Sequence, residues 1–250
     1  MTVSSTRPKN WIFIRGLIRS KFHWGNFPEL FKTQLNAENV ECIEVPGNGY
    51  SSEQITPELI DVVISELRKQ VSFKSESFGI VGISLGGMLA TKWAQLYPDE
   101  VSHLVLINSS SSLSPFYKRL NPTNYAGIIK NLAIANPAAM EKFVLNATSN
   151  NKEIWLPLLK DYTDFQKKHP VSLNNFIQQL KLTSQVDFLN TPKSKNLVLT
   201  SKADRLVSYE CSESIAEAWK SKIYYHDSAG HDLPLDDANW VIKKIKEFNL

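Results

Sequence analysis

The chain has 250 residues, 42% of them hydrophobic and 21% charged, which fits a globular fold with an ample core and excludes a disordered, collagen-like or coiled-coil chain. Its 28 basic and 25 acidic residues leave a net charge of +3, and no run of Lys or Arg exceeds two; nothing tracks a phosphate backbone, so no nucleic-acid partner is expected. The first ten residues are polar and the apolar stretch 11–14 breaks off at Arg15. Neither a secretory hydrophobic region nor a membrane span is read there, and a cytoplasmic location is expected.

Short runs rich in Val, Ile, Phe and Tyr, each of strand length, occur at 11–14, 40–45, 78–83, 103–107, 197–200 and 223–225. Between most of them lie segments of helical period. Ile60, Val63, Ile64 and Leu67 form one apolar stripe; Leu89, Trp93 and Leu96 form another, closed by Pro98. This alternation predicts an α/β fold, a mostly parallel sheet of about six strands flanked by helices, with binding groups at the carboxyl ends of the strands. From 113 to 190 the alternation stops and no strand is read. Asn121-Pro122 and Asn136-Pro137 have the form of helix caps with proline in the first turn, and Trp155, Leu156, Leu158 and Leu159 begin a further apolar face. With no Gly/Ser-rich linker in it, 113–190 is expected to be a helical lid inserted into a core made of 1–112 and 191–250. Cys42 and Cys211 have neither metal-ligand spacing nor a disulfide framework, and buried, reduced thiols are expected.

Gly82-Ile83-Ser84-Leu85-Gly86-Gly87 stands where the strand 78–83 meets a helix expected over 85–97. Gly-x-Ser-x-Gly in this strand, turn, helix setting is a nucleophile elbow; the flanking glycines are needed because a sharp turn leaves no room for Cβ atoms. A serine hydroxyl is a weak nucleophile and needs a base, which needs a carboxylate to orient it. Of five histidines, His231 follows the last strand in Ala229-Gly230-His231-Asp232, where a loop can carry an imidazole over the sheet edge. His23, His103, His169 and His226 lie in an early loop, a strand start, the helical insertion and a strand end. Asp204 follows the strand 197–200. Asp232 is adjacent to the histidine, and Asp236 and Asp237 read as the first turn of the last helix, where carboxylates suit the helix dipole. Ser84, Asp204 and His231 are thus the candidate catalytic residues, in the chain order Ser, acid, His.

The oxyanion formed after attack needs fixed N–H donors. Leu85, which follows the serine, and Leu17, in Arg15-Gly16-Leu17-Ile18 after the first strand, are expected to supply them. Other motif classes fail on spacing. Gly47-Asn48-Gly49 lacks the third glycine of a dinucleotide fingerprint, Met88 follows Gly86-Gly87 where a phosphate loop needs Lys, and neither His-Glu-x-x-His nor Cys-x-x-Cys occurs. No metal or nucleotide cofactor is expected.

From Arg15-Gly16, through Val45-Pro46-Gly47-Asn48-Gly49-Tyr50-Ser51 and the Ser84 elbow, to Asp204 and Gly230-His231, the chain resembles α/β-hydrolase fold enzymes over nearly its whole length. Among them it is similar to small lidded carboxylesterases of the pimeloyl-acyl carrier protein methyl ester esterase type. The resemblance implies a serine esterase with no cofactor, acting on a small-molecule ester or acyl-carrier substrate through an acyl-enzyme. Acyl thioesters present the same carbonyl, and the same triad on small lidded relatives supports an elimination in menaquinone synthesis. A noncatalytic binding scaffold is the remaining reading, disfavoured because a binder has no need of all three groups. The chain departs from the pattern in having Arg15 where most relatives have His, Glu44 where Asp usually precedes the Pro-Gly turn, and fewer leading strands. Trp24 and Leu206 are candidate substrate-pocket residues. Arg15 would bind a distal carboxylate or phosphate if its guanidinium turned to the pocket; bracing of the oxyanion loop is the preferred reading.

Overall fold

The computed structural model describes residues 7–73, 77–134 and 136–248. Each expected strand forms: β1 (Asn10–Ile14), β2 (Asn39–Ile43), β3 (Phe78–Ile83), β4 (Val101–Ile107), β5 (Lys195–Ser201) and β6 (Lys222–His226). They pair in parallel, in the order β2-β1-β3-β4-β5-β6. β2 stops short of the expected end because the chain turns at Pro46-Gly47, where Gly47 takes φ +91°.

Side chains of β1 alternate between two cores, as a strand covered on both faces requires. Trp11 and Phe13 pack with Phe27 and Phe31 of α1 (Phe27–Leu35) and with Val241 and Ile245 of α11 (Ala238–Phe248). Ile12 and Ile14 belong to the opposite core. There α2 (Ile60–Lys69), α3 (Leu85–Leu96) and α9 (Tyr209–Trp219) bury Ile64, Leu67, Leu89, Trp93 and Ile215. The predicted stripes therefore face the sheet, except that Leu96 ends α3 partly exposed.

Between β4 and β5 lie α4 (Phe116–Arg119), α5 (Pro122–Ile134), α6 (Pro137–Thr148), α7 (Lys152–Lys168) and α8 (Leu173–Leu182), with no strand among the described residues. Asn136 caps α6 as expected, its side-chain oxygen accepting from the Ala139 N–H at 3.0 Å. On α7 the apolar face is incomplete, for Trp155 is buried and Leu156 is exposed.

One expectation is corrected at the C-terminal end. Asp236 closes the short α10 (Leu233–Asp236) instead of opening the last helix. Its carboxylate accepts from the N–H groups of Gly230 (2.6 Å) and Asn150 (2.9 Å) and from the Ser149 hydroxyl, tying the loop that carries His231 to the turn after α6. Asp237 does sit at the start of α11 and accepts from the Trp240 N–H. Both cysteines are free thiols, but only Cys211 is buried; Cys42 is half-buried because β2 is an edge strand. Among the described residues no helix is long and apolar enough to cross a membrane.

β1 lies between β2 and β3, so the chain leaves it toward one edge and returns on its other side. This is the topological switch point, where the carboxyl ends of neighbouring strands open a crevice. Ile14 pairs with Gly82 there, which sets the turn after β1 beside the residue that follows β3.

Candidate active site

Ser84 links β3 to α3 with φ 55° and ψ −122°, a conformation that strains a residue bearing a Cβ. Neighbouring elements hold it there. Its N–H donates to the Ile107 carbonyl (2.9 Å), and its carbonyl accepts from the Ser109 hydroxyl (2.8 Å) and the Gly87 N–H (3.0 Å). A Cβ on Gly82 would stand 2.5 Å from the Gly86 carbonyl oxygen, and one on Gly86 2.2 Å from that of Ile14. The glycine spacing is thus a packing requirement of the turn.

His231 Nδ1 lies 2.7 Å from Asp204 Oδ2, and the two side chains are 6% and 1% exposed. The other carboxylate oxygen accepts from the Leu206 and Val207 N–H groups at 2.7 and 3.0 Å, so the turn after β5 fixes how Asp204 meets the imidazole. Asn108, at φ 45° after β4, was not singled out by the sequence. Its side-chain amide donates to the carbonyls of His231 (2.8 Å) and Gly230 (3.3 Å), while its oxygen accepts from the Ser201 N–H (2.8 Å). It joins the ends of β4 and β5 to the histidine loop. An Asn directly after a strand, a residue type that tolerates positive φ, was the available signal.

The turn after β1 is held just as closely. Ile18 takes φ 53°, an outlier for a β-branched residue. Its N–H donates to Gln179 Oε1 of α8 (3.2 Å), and the Gln179 amide donates to Asn48 Oδ1 (2.8 Å) and to Thr56 Oγ1 (3.3 Å). Next along the chain, Arg19 makes a buried ion pair with Glu141 of α6 at 2.7 Å. Just before these anchors, the Leu17 N–H has no protein acceptor among the described residues, and the Leu85 N–H has none either. Glu141 and Gln179 were not legible in advance: a polar residue on the inner face of a helix was the signal, and their partners lie far away in sequence.

Arg15 is committed within the protein. Its guanidinium makes a two-point pair with Asp232 (3.1 and 2.5 Å), buried on both sides, and stacks over the Trp24 ring at 4.7 Å. Burial disfavours both charges, yet Arg15 holds Asp232 below the usual carboxylate range and Asp232 raises Arg15 above its ordinary value.

Ser84, His231, Leu17, Leu85, Arg15 and Leu206 all line one cavity of about 270 Å³; Asp204 sits behind His231. Trp24 does not line it, which corrects the expectation for that residue. Its ring packs against Phe13 and Phe27 in the core under α1, with Arg15 between it and the cavity. The rest of the wall is mostly apolar, with Met88, Leu120, Ile128, Phe143, Val144 and Leu180. Among the described residues no group of three His, Cys, Asp or Glu could hold a metal ion.

Glu44, the departure before the Pro-Gly turn, accepts from the Ser20 hydroxyl (2.7 Å) and the Lys21 N–H (3.2 Å). Burial outweighs these bonds and pushes its carboxyl from 4.5 to about 7. The folded chain therefore keeps a proton that the unfolded chain has lost between those values, and the stability contributed by Glu44 falls as pH rises across that window. Glu44→Gln is expected to flatten this decline by roughly 1–3 kcal/mol, measured as the variant-minus-parent difference in urea unfolding between pH 5 and 8. His23, whose pKa burial and Arg19 depress, slopes the other way and cancels in that difference.

The sequence matches the family described as alpha/beta hydrolase fold over residues 12–238. The chain belongs to that family. It is 20% identical to the monoacylglycerol lipase ABHD6 of Homo sapiens over 259 residues, covering 95% of this chain and 74% of that protein. Among solved structures it is similar to the enol-lactonase from Burkholderia xenovorans LB400, with a TM-score of 0.77 at 15% identity over 97% of this chain and 91% of that one. It is also similar to the esterase RhEst1 from Rhodococcus sp. ECU1013, with a TM-score of 0.73 at 16% identity over 98% and 92%. At these identities the structural likeness speaks for the fold.

Proposed function

We propose that the protein is a serine hydrolase of carboxylic esters. The observation that carries this reading is a convergence on one cavity: a serine at positive φ, a buried His–Asp pair, and two N–H groups without protein acceptors among the described residues. In the proposed reaction Ser84 Oγ attacks the ester carbonyl while His231 Nε2 takes its proton. The C–O π pair moves onto oxygen, and the Leu17 and Leu85 N–H groups meet that charge. Collapse re-forms the carbonyl and breaks the bond to the alcohol, which leaves with the proton from His231. Water, deprotonated by the same imidazole, then releases the acid and restores Ser84. Asp204 accepts the Nδ1–H throughout and keeps Nε2 free as the base. The helices between β4 and β5 serve as the lid, and the substrate is a small-molecule or acyl-carrier ester. Similar proteins named as lipase, lactonase and esterase support the class.

A panel of p-nitrophenyl esters and acyl thioesters of graded chain length tests it. Turnover that consumes water and releases an alcohol or thiol is expected, with esters ahead of thioesters. Thioesters ahead would make the enzyme a thioesterase, and a product formed without water would make it a lyase.

The hold of α8 on the oxyanion turn gives a further expectation. In Gln179→Leu the strained Ile18 turn loses its acceptor and Leu17 drifts from its aim. Full loss of one such donor costs about 10²–10³ in kcat, so a fall on the order of tenfold in kcat, with KM near the parental value, is expected. Steady-state kinetics beside a thermal melt checks this. A change in KM alone would show that Gln179 shapes the pocket without aiming the donor.

A further inference from the structure

Five charged or ionisable groups line the cavity: Arg15, Arg19, Arg119, His231 and Asp232. The protein answers four of them internally. Arg15 and Asp232 pair with each other, Arg19 pairs with Glu141, and His231 meets Asp204. Arg119 has no carboxylate partner among the described residues. One N–H of its guanidinium donates to the Thr183 carbonyl at 3.0 Å, and an arginine has five N–H donors in all. Its neighbour on α4 does not share this condition, for Lys118 pairs with Glu210 at 2.5 Å. Arg119 is half-buried and stands in the wall beside the apolar side chains of Leu120 and Leu180. Three residues back on the same helix, Phe116 also lines the cavity and is 69% exposed, so this face of α4 forms part of the mouth.

We propose that Arg119 binds an anionic group, a carboxylate or a phosphate, that the substrate carries away from its scissile carbonyl. The proposal rests on the ester-hydrolase reading of the same cavity and names the class of ester it selects: one with an apolar body and a charged distal end. The apolar wall takes the body, and the guanidinium, partly withdrawn from water, supplies the planar pair of donors that such an anion matches. Arg15, the candidate from sequence for this task, is occupied by Asp232.

The test compares p-nitrophenyl esters of equal chain length whose distal end is a carboxylate, a phosphate or a neutral methyl ester. The parent protein is expected to favour an anionic ester on the order of tenfold in kcat/KM, the worth of one charge-assisted pair. The anion with the larger preference identifies the natural group. Arg119→Met should bring the ratio of anionic to neutral turnover near one, through KM. Arg119→Lys should restore part of it, and Lys118→Met, which alters an equal charge one residue away, should leave it in place. Equal kcat/KM for charged and neutral esters in the parent, or a ratio unmoved by Arg119→Met, would overturn the proposal. If no ester is turned over, the hydrolase reading fails separately, and calorimetry decides for Arg119. Octyl phosphate or octanoate should then bind more tightly than octanol to the parent and lose that advantage in Arg119→Met; equal affinities would overturn it.

Discussion

Ser84→Ala is expected to lower kcat by about 10⁴-fold or more while leaving the fold intact. The strain at φ 55° belongs to the backbone, and alanine bears it as serine does, since the main-chain bonds to Ile107, Ser109 and Gly87 are untouched. Only the attacking oxygen is lost. In the parent, a fluorophosphonate should modify Ser84 stoichiometrically, because the elbow presents its oxygen to the cavity that His231 also lines. Peptide mapping of the label and a melting curve of the variant check both halves. Label on another residue, or activity surviving in Ser84→Ala, would remove Ser84 from the chemistry.

Asp204→Asn carries the next largest effect, a fall on the order of 10⁴-fold in kcat with little change in stability. The geometry explains why so small a change should matter. One carboxylate oxygen accepts from the Leu206 and Val207 N–H groups, and an asparagine satisfies both by placing its carbonyl oxygen there. Its NH₂ group is then turned toward His231 Nδ1, where the carboxylate had accepted a hydrogen bond. The imidazole answers by moving its own proton to Nε2, the nitrogen that has to act as base. The fold is preserved and the tautomer is wrong. Kinetics with intact Ser84 labelling sites, beside urea unfolding, tests this. Near-parental turnover would shift the orienting role to another carboxylate, and Asp232, already bonded to Arg15, would then be replaced in turn.

Much of the architecture was legible in the order of residues because it follows from local rules. Strand-length apolar runs and 3.6-residue stripes mark elements that bury one or both faces whatever their partners; hence β1 to β6 and the inward faces of α2 and α3 could be placed. The elbow was legible for the same reason. Gly82 answers a clash with Gly86 a few residues on, which one stretch of chain can show, whereas Gly86 answers the Ile14 carbonyl that the sheet brings against it. Asp204 and His231 could be placed at strand ends because parallel sheets gather their loops on one edge, and the structure brings them to 2.7 Å.

Which side chains meet across that edge was settled only by the tertiary structure. Periodicity tells which way a residue faces and is silent about what stands opposite. Arg15 and Asp232 are 217 positions apart, and Ile18 and Gln179 are 161 apart. The direction of the Arg15 guanidinium, the tie that Asp236 makes from the histidine loop to the turn after α6 and the anchoring of the Leu17 turn all depend on such meetings. So does the state of Arg119. That its charge has no carboxylate partner among the described residues emerges only once every other charge in the wall has been paired. A buried or half-buried charge takes its meaning from its counter-charge, and the chain brings the two together only when it folds.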